Sequence, residues 1–137
     1  TDGEECYKEY AENDGLWGAK RALEHIKSQD YSVRAVICLD MLGDKNLNIA
    51  LPQNTTPVMR RLVRLAAKRT GFSKYVSEIN DSVIDDHVPF FNAGYNVVNL
   101  IDFSYGSEEG ENDYWHTSKD IMENISAKFR KNFSRND

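Results

Sequence analysis

The sequence predicts an α/β fold in which a mostly parallel sheet is flanked by helices. Three observations lead there. Helical apolar patterns alternate with short apolar runs. The runs Val33–Leu39 and Val97–Ile101 are rich in β-branched residues, as strands buried between two layers are. An aspartate follows each, Asp40 and Asp102, and ligands in parallel sheets collect at the carboxyl ends of strands.

Taken in order, Asp2 to Gly15 is polar and acidic and reads as a loop. Leu16 to Lys27 spaces Leu16, Ala19, Leu23 and Ile26 as one helical face. Val33 to Leu39 is a strand expected to be buried on both faces, and it ends in Asp40-Met41-Leu42-Gly43. Asn48 to Leu51 is a short strand. Thr56 is placed to cap the next helix, Pro57 suits its first turn, and Gly71 ends it. Val58, Leu62, Leu65 and Ala66 are expected to form its buried face. Arg60, Arg61, Arg64 and Lys68 then form a solvated one. Ile84 to Phe91 runs into a short helix closed by Gly94. Val97 to Ile101 is a strand, Phe103 to Asp113 a Gly- and Glu-rich loop, and a weakly patterned segment begins at Ser126.

The 137 residues are the size of one domain, 1–137, and can bury a core. The net charge is −5 with scattered basic residues, which argues against a nucleic-acid partner. No apolar run is long enough for a membrane span. The chain opens on Thr1 without an initiator Met or a signal peptide, so sequence upstream is expected. Two cysteines are too few for a disulfide framework. Cys38 reads as a small buried hydrophobe, and Cys6 as a free thiol or half of a bridge.

Acidic and histidine residues cluster in four places. Glu4 and Glu5 are adjacent carboxylates, which repel; one can hold a cation while the next acts as a base. The same pair also fits a solvated loop. Asp40 leaves a strand, where it serves either as a ligand or as a turn residue. Asp85-Asp86-His87 has zinc-ligand chemistry, but His87 reads better as a local packing or capping residue. His116 follows Trp115 behind a polar loop, a position that suits a ligand at a pocket mouth, with Asp120 shortly after.

The ordered motifs Asp-Gly-Glu-Glu, Gly-Leu-Trp-Gly-Ala-Lys-Arg, Leu-Asp-Met-Leu-Gly, Asp-Asp-His-Val-Pro-Phe and Trp-His-Thr resemble metallopeptidase family 28 from Asp2 to about Ile125. That family holds zinc aminopeptidases and glutaminyl-peptide cyclotransferases. The resemblance implies a zinc exopeptidase-like fold with zinc at the strand ends and a peptide N-terminus as substrate. Glu4 would be the general acid/base, and Glu5 and His116 zinc ligands. Asp40 matches the residue that binds a second zinc in two-metal aminopeptidases and joins a hydrogen-bond network in one-zinc cyclotransferases. Asp85 and Trp115 look like the cyclotransferases, which places that activity first and aminopeptidase second. The resemblance also implies a secreted or periplasmic location over a cytoplasmic one.

The family's first metal ligands and first strands precede Asp-Gly-Glu-Glu and have no counterpart here. The fold is therefore expected to be incomplete at its N-terminal side. Two protein ligands are fewer than the three of catalytic zinc sites, so the chain alone should hold zinc weakly and be inactive. A truncated, non-catalytic binding module is the rival of another class. Intact Glu4, Glu5, Asp40 and His116 argue against it for the full-length protein. Glu4, Glu5, Asp40, Asp85 and His116 are expected to converge at one edge of the sheet.

Overall fold

The computed structural model describes residues 6, 8, 11, 13–108 and 110–126. Helix α1 spans Trp17–Ser28, strand β1 Val36–Asp40 and strand β2 Ile49–Leu51. Helix α2 spans Pro57–Thr70, strand β3 Val76–Glu78, helix α3 Val88–Asn92 and strand β4 Val97–Ile101. The sheet order is β1-β4-β2-β3. β1 runs parallel to β4, from Val36 opposite Val97 to Asp40 opposite Ile101. β2 runs parallel to β3, and the two pairs meet antiparallel where Ala50 faces Ile101. The mostly parallel α/β sheet expected from the sequence is present.

Neighbouring residues of a strand point to opposite faces, so β4 needs cover on both. Val97 packs with Ala19 of α1 and Phe90 of α3, joined by Leu23, Ile26 and Val36. Val98 packs on the other face with Leu51 and Met59 of α2, joined by Val63 and Leu100. A third cluster, Ala50, Val83 and Ile101, fills the carboxyl end of the sheet. Both helix ends expected at glycines have left-handed backbone, at Gly71 (φ 77°) and Gly94 (φ 82°), where a side chain would be strained.

Three expectations need correction. β1 starts at Val36 rather than Val33, and it is buried on one face only: Ile37 is 58% and Leu39 66% exposed. The reason is position. β1 is the outer strand beside β4, and α2 lies over β2 and β4 instead. The face of α2 is also turned from the one expected. Met59, Val63 and Ala67 face the sheet, while Val58, Leu62 and Leu65 are exposed. Arg60 belongs to the fold as well as to the surface. It donates to the carbonyls of Pro52 at 2.8 Å and Leu51 at 3.4 Å, and to Glu78 Oε2 at 3.1 Å. Those carbonyls need a donor where β2 ends, and they fix the helix rotation that the apolar pattern left ambiguous.

Thr56 stands at the N-cap, but its hydroxyl makes no cap bond. It donates to Val97 O and accepts from Val97 N–H, both at 3.0 Å, tying α2 to the start of β4. β3 was not foreseen. It has three residues, too few to show a period.

Leu51 is fully buried and Leu39 is not, so truncating each should separate sharply. Leu51→Ala should lower the unfolding free energy by about 2–5 kcal/mol. Leu39→Ser should change it by less than about 0.5 kcal/mol. Urea unfolding followed by circular dichroism reads both; equal losses would contradict this core.

Candidate active site

Register builds the site. On β1, Cys38 and Asp40 alternate with the exposed Ile37 and Leu39, and Cys38 lies opposite Asn99 of β4. Asp85 comes from the loop before α3 and is 5% exposed. Its carboxylate is gripped twice: Oδ2 accepts from Asn99 Nδ2 and Oδ1 from Asp86 N–H, each at 2.5 Å. Its carbonyl accepts from Val88 N–H at 2.8 Å, which fixes the loop against the first turn of α3.

Electrostatics mark this group. Burial pushes the Asp85 carboxyl up to about 6, and the charge of Asp40 adds to it, while the two hydrogen bonds oppose. Burial, then Asp85, Asp86 and Asp40, push the Cys38 thiol up to about 12. Cys38 is half-buried and free, and at neutral pH it stays protonated, which does not suit a nucleophile. Cys6 is a free thiol as well. His87 is fully buried at the N-cap of α3, makes no cap bond, and burial pulls it down to about 4. Among the described residues neither of its ring nitrogens finds a hydrogen-bond partner. It is a neutral packing residue.

Beyond Asp40 opens a pocket of about 260 Å³, lined by Asp40, Met41, Asp44, Tyr105, Trp115 and Asp120 among others. Gly43 accepts from Ser126 N–H at 2.8 Å, and a side chain on Gly43 would crowd Ile125, so the chain after Met122 closes one wall. Tyr105 donates to Asp120 Oδ1 at 2.8 Å; burial and that bond push its hydroxyl up to about 12. Trp115 stacks on His116 with ring centres 4.1 Å apart. Met41 and His116 both have φ 55°, a left-handed backbone that is uncommon without glycine. Such residues gather where a site holds the chain in a costly conformation, and these two flank Asp40 and Trp115.

Asp40, Asp85, Trp115 and His116 therefore meet at one end of the β1–β4 pair. Asp40 and Trp115 share a pocket, Asp85 lies within electrostatic reach of Asp40, and His116 is stacked on Trp115. Glu4 and Glu5 fall outside the described residues. Among the described residues no three His, Cys, Asp or Glu side chains gather as a metal site. The Asp40 carboxylate and the His116 imidazole nonetheless have the oxygen and nitrogen donors zinc takes.

Sequence reasoning missed Asn99, Asp44 and Tyr105. Asn99 could have been found, because it is the lone polar residue of a buried strand. Asp44 and Tyr105 carried no pattern. Asp102 is fully buried and structural: its oxygens accept from Asn48 N–H at 2.9 Å and Ser104 N–H at 3.0 Å.

Comparison with known proteins agrees with this geometry. Peptidase family M28 matches residues 2–136. A glutaminyl cyclase structure from an Acidobacteriales bacterium is 35% identical with a TM-score of 0.81, over 90% of this chain and 44% of that one. A Zn-dependent exopeptidase structure from Parabacteroides distasonis is 26% identical with a TM-score of 0.70, over 91% and 44%. A glutaminyl-peptide cyclotransferase-like protein from Bos taurus is 27% identical, over 98% of this chain and 39% of its own length. The chain thus spans about two fifths of the curated relatives it matches.

Asp85 and His87 should pull acid stability in opposite directions. Asp85 is raised from 3.8 to about 6, so its stabilisation is full below 3.8 and lost as pH rises through 6. His87 is lowered from 6.5 to about 4, so its stabilisation is present above 6.5 and lost as pH falls through 4. Asp85→Asn should therefore lose more thermal stability than wild type between pH 7 and pH 4.5. His87→Asn should lose less. Parallel melting-temperature profiles for all three proteins would contradict the two shifts.

Proposed function

Because this chain belongs to peptidase family M28, we propose that it serves a zinc-dependent glutaminyl-peptide cyclotransferase, which closes an N-terminal glutamine to pyroglutamate. One observation carries the choice. A buried carboxyl, Asp85, is held near Asp40 beside a pocket walled by Trp115. That suits moving protons between an amine and a departing amide nitrogen. It also suits a narrow slot for one side chain.

Zinc, when bound, supplies a Lewis acid that polarises the side-chain amide of the substrate. Glu5 and His116 would hold it, with further ligands from outside these 137 residues. The Trp115 ring stacks on the imidazole of His116 at 4.1 Å, which limits how that ring can turn and supports a ligand role. Glu4 takes a proton from the α-amine, whose nitrogen forms the new bond to the amide carbon. The same carboxyl returns the proton to the leaving nitrogen, which departs as ammonia. Asp85 and Asp40 share the surrounding protons, since carboxyls so placed do not both ionise freely. Trp115 lines the slot and keeps water off the reacting amide.

The likeness to a Zn-dependent exopeptidase supports a second reading. As an aminopeptidase, the protein would use Glu4 to deprotonate the attacking water, and Asp40 would serve as a ligand to a second metal.

Ligand and base should separate on mutation of the full-length protein. His116→Ala should lower zinc content measured by atomic absorption. Glu4→Gln should keep zinc and lose about 10²–10⁴-fold in turnover, because an amide cannot accept the proton. Equal zinc loss in both variants would contradict the two roles.

The two activities are told apart by assaying ammonia release and amino-acid release side by side with zinc present. N-terminal Gln peptides should cyclise faster than Leu or Ala is released from aminopeptidase substrates. Free amino acids without pyroglutamate would give the aminopeptidase reading precedence.

A further inference from the structure

The carboxylates around the pocket sort into two groups. The charge of Asp40 bears on Asp85 and Cys38, whereas that of Asp44 bears on Tyr105 and Asp102. The pocket of about 260 Å³ therefore has two ends, one at Asp40 and the other at Asp44, Tyr105 and Asp120. Asp44 is only 7% exposed, yet it lines this space. Its Oδ1 accepts from Asn46 N–H at 3.3 Å. Among the described residues its Oδ2 has no hydrogen-bond partner, and no Lys, Arg or His pairs with it. Lys119, the cation beside Asp120 in the chain, is held instead by Asp113 at 3.0 Å. The Asn46 bond closes an Asx turn, which an Asn would close equally well without a charge. A buried carboxylate is unfavourable unless a cation or several donors meet it. The turn therefore does not account for the charge, but a cation entering the pocket does.

We propose that the Asp44 end of the pocket selects a cationic side chain, Lys or Arg, on the residue that follows the N-terminal Gln of the substrate. The inference rests on the cyclotransferase reading for the reaction it serves. The unpaired charge in the pocket stands on the contacts alone. The substrate's α-amine is not the cation meant for Asp44, because it must be neutral to attack and lies with Glu4 in that reading. Zinc is not that cation either, since the ligands proposed for it, Glu5 and His116, include neither Asp44 nor Asp120. The nearest remaining part of the substrate is the next side chain. Lys and Arg carry their charge at the end of an apolar stem. That stem would run along Met41 and Ile125, which line the same pocket, and bring its head to Asp44. Asp120, which accepts from the Tyr105 hydroxyl through Oδ1, adds a second negative charge at that end. A pair made by a nearly buried carboxylate discriminates more than an exposed one. Asp44 is then a specificity-determining residue that acts on binding and not on the reacting atoms.

The test compares peptides that differ only in that second side chain, Lys against norleucine, an uncharged chain of like shape. In the full-length enzyme, kcat/KM for ammonia release from Gln-Lys peptides should exceed that from Gln-norleucine peptides by about tenfold or more. Glu in the same place should be the poorest of the three. This arm needs no variant to fold. Asp44→Asn keeps the Asx turn and removes the charge, so it should lower the Lys value about tenfold and bring it toward the norleucine value. Equal turnover of Lys and norleucine peptides by wild type overturns the proposal. So does an Asp44→Asn variant that loses both substrates in the same proportion. Amino-acid release from Leu-Lys and Leu-norleucine peptides is assayed alongside, to separate the site from the reaction. If wild type makes no pyroglutamate but releases Leu faster ahead of Lys, and Asp44→Asn abolishes the difference, the cyclotransferase reading falls and the charge selection stands. If pyroglutamate forms equally fast from Lys and norleucine peptides, the selection falls and that reading stands.

Discussion

Strands β1 and β4 pair in parallel over five residues, from Val36 opposite Val97 to Asp40 opposite Ile101, and the site depends on that register. Because side chains alternate across a strand, one register puts Cys38, Asp40 and Asn99 on the side where the Asp85 loop arrives. A one-residue slip of β1 would turn Asp40 to its exposed face, and a one-residue slip of β4 would replace Asn99 under Asp85 by an apolar neighbour. The register is held from several directions. Val97 is clamped by Thr56 at one end of β4, and Asp102 is fastened by Asn48 and Ser104 just beyond the other.

The polar groups gathered there work against the interior that holds them. Burial raises Asp85 and Cys38 and lowers His87, so each is pressed toward its neutral form. Asn99 and the Asp86 N–H oppose this for Asp85 alone, and Asp85 is left to titrate near 6. A group poised near neutrality can exchange protons at little cost in free energy, which a protonated Cys38 or a neutral His87 cannot. Burial of one kind thus yields one group suited to proton transfer and two that are inert.

Beyond the strand ends, the pocket is shaped by aromatic and loop residues. Trp115 stacks on His116, Tyr105 is braced on Tyr114 and bonded to Asp120, and Ile125 closes against Gly43. Of these contacts, the Trp115 stack is the one that bears on the imidazole, which lies against one face of the indole. The similarity to a glutaminyl cyclase structure extends over 90% of this chain.

The sequence by itself determined the alternation of helices and strands, the acids at strand ends and the ordered motifs. Each of these is local: a period, a cap or a short string can be read without knowing what lies opposite. Asp40, Asp85, Trp115 and His116 were legible for that reason, and Asn99 nearly so, as a polar residue in an apolar run. Only the tertiary structure decided which face of α2 is buried, because Arg60 must reach the carbonyls where β2 ends. It alone left β1 bare on one side, because exposure depends on which neighbour covers a strand and not on the strand's own residues. It alone gave the physical reason that His87 and Asp85 differ, since burial drives the titration of these two nearby groups in opposite directions. Burial and charge are properties of an assembled neighbourhood, and no window of sequence contains one.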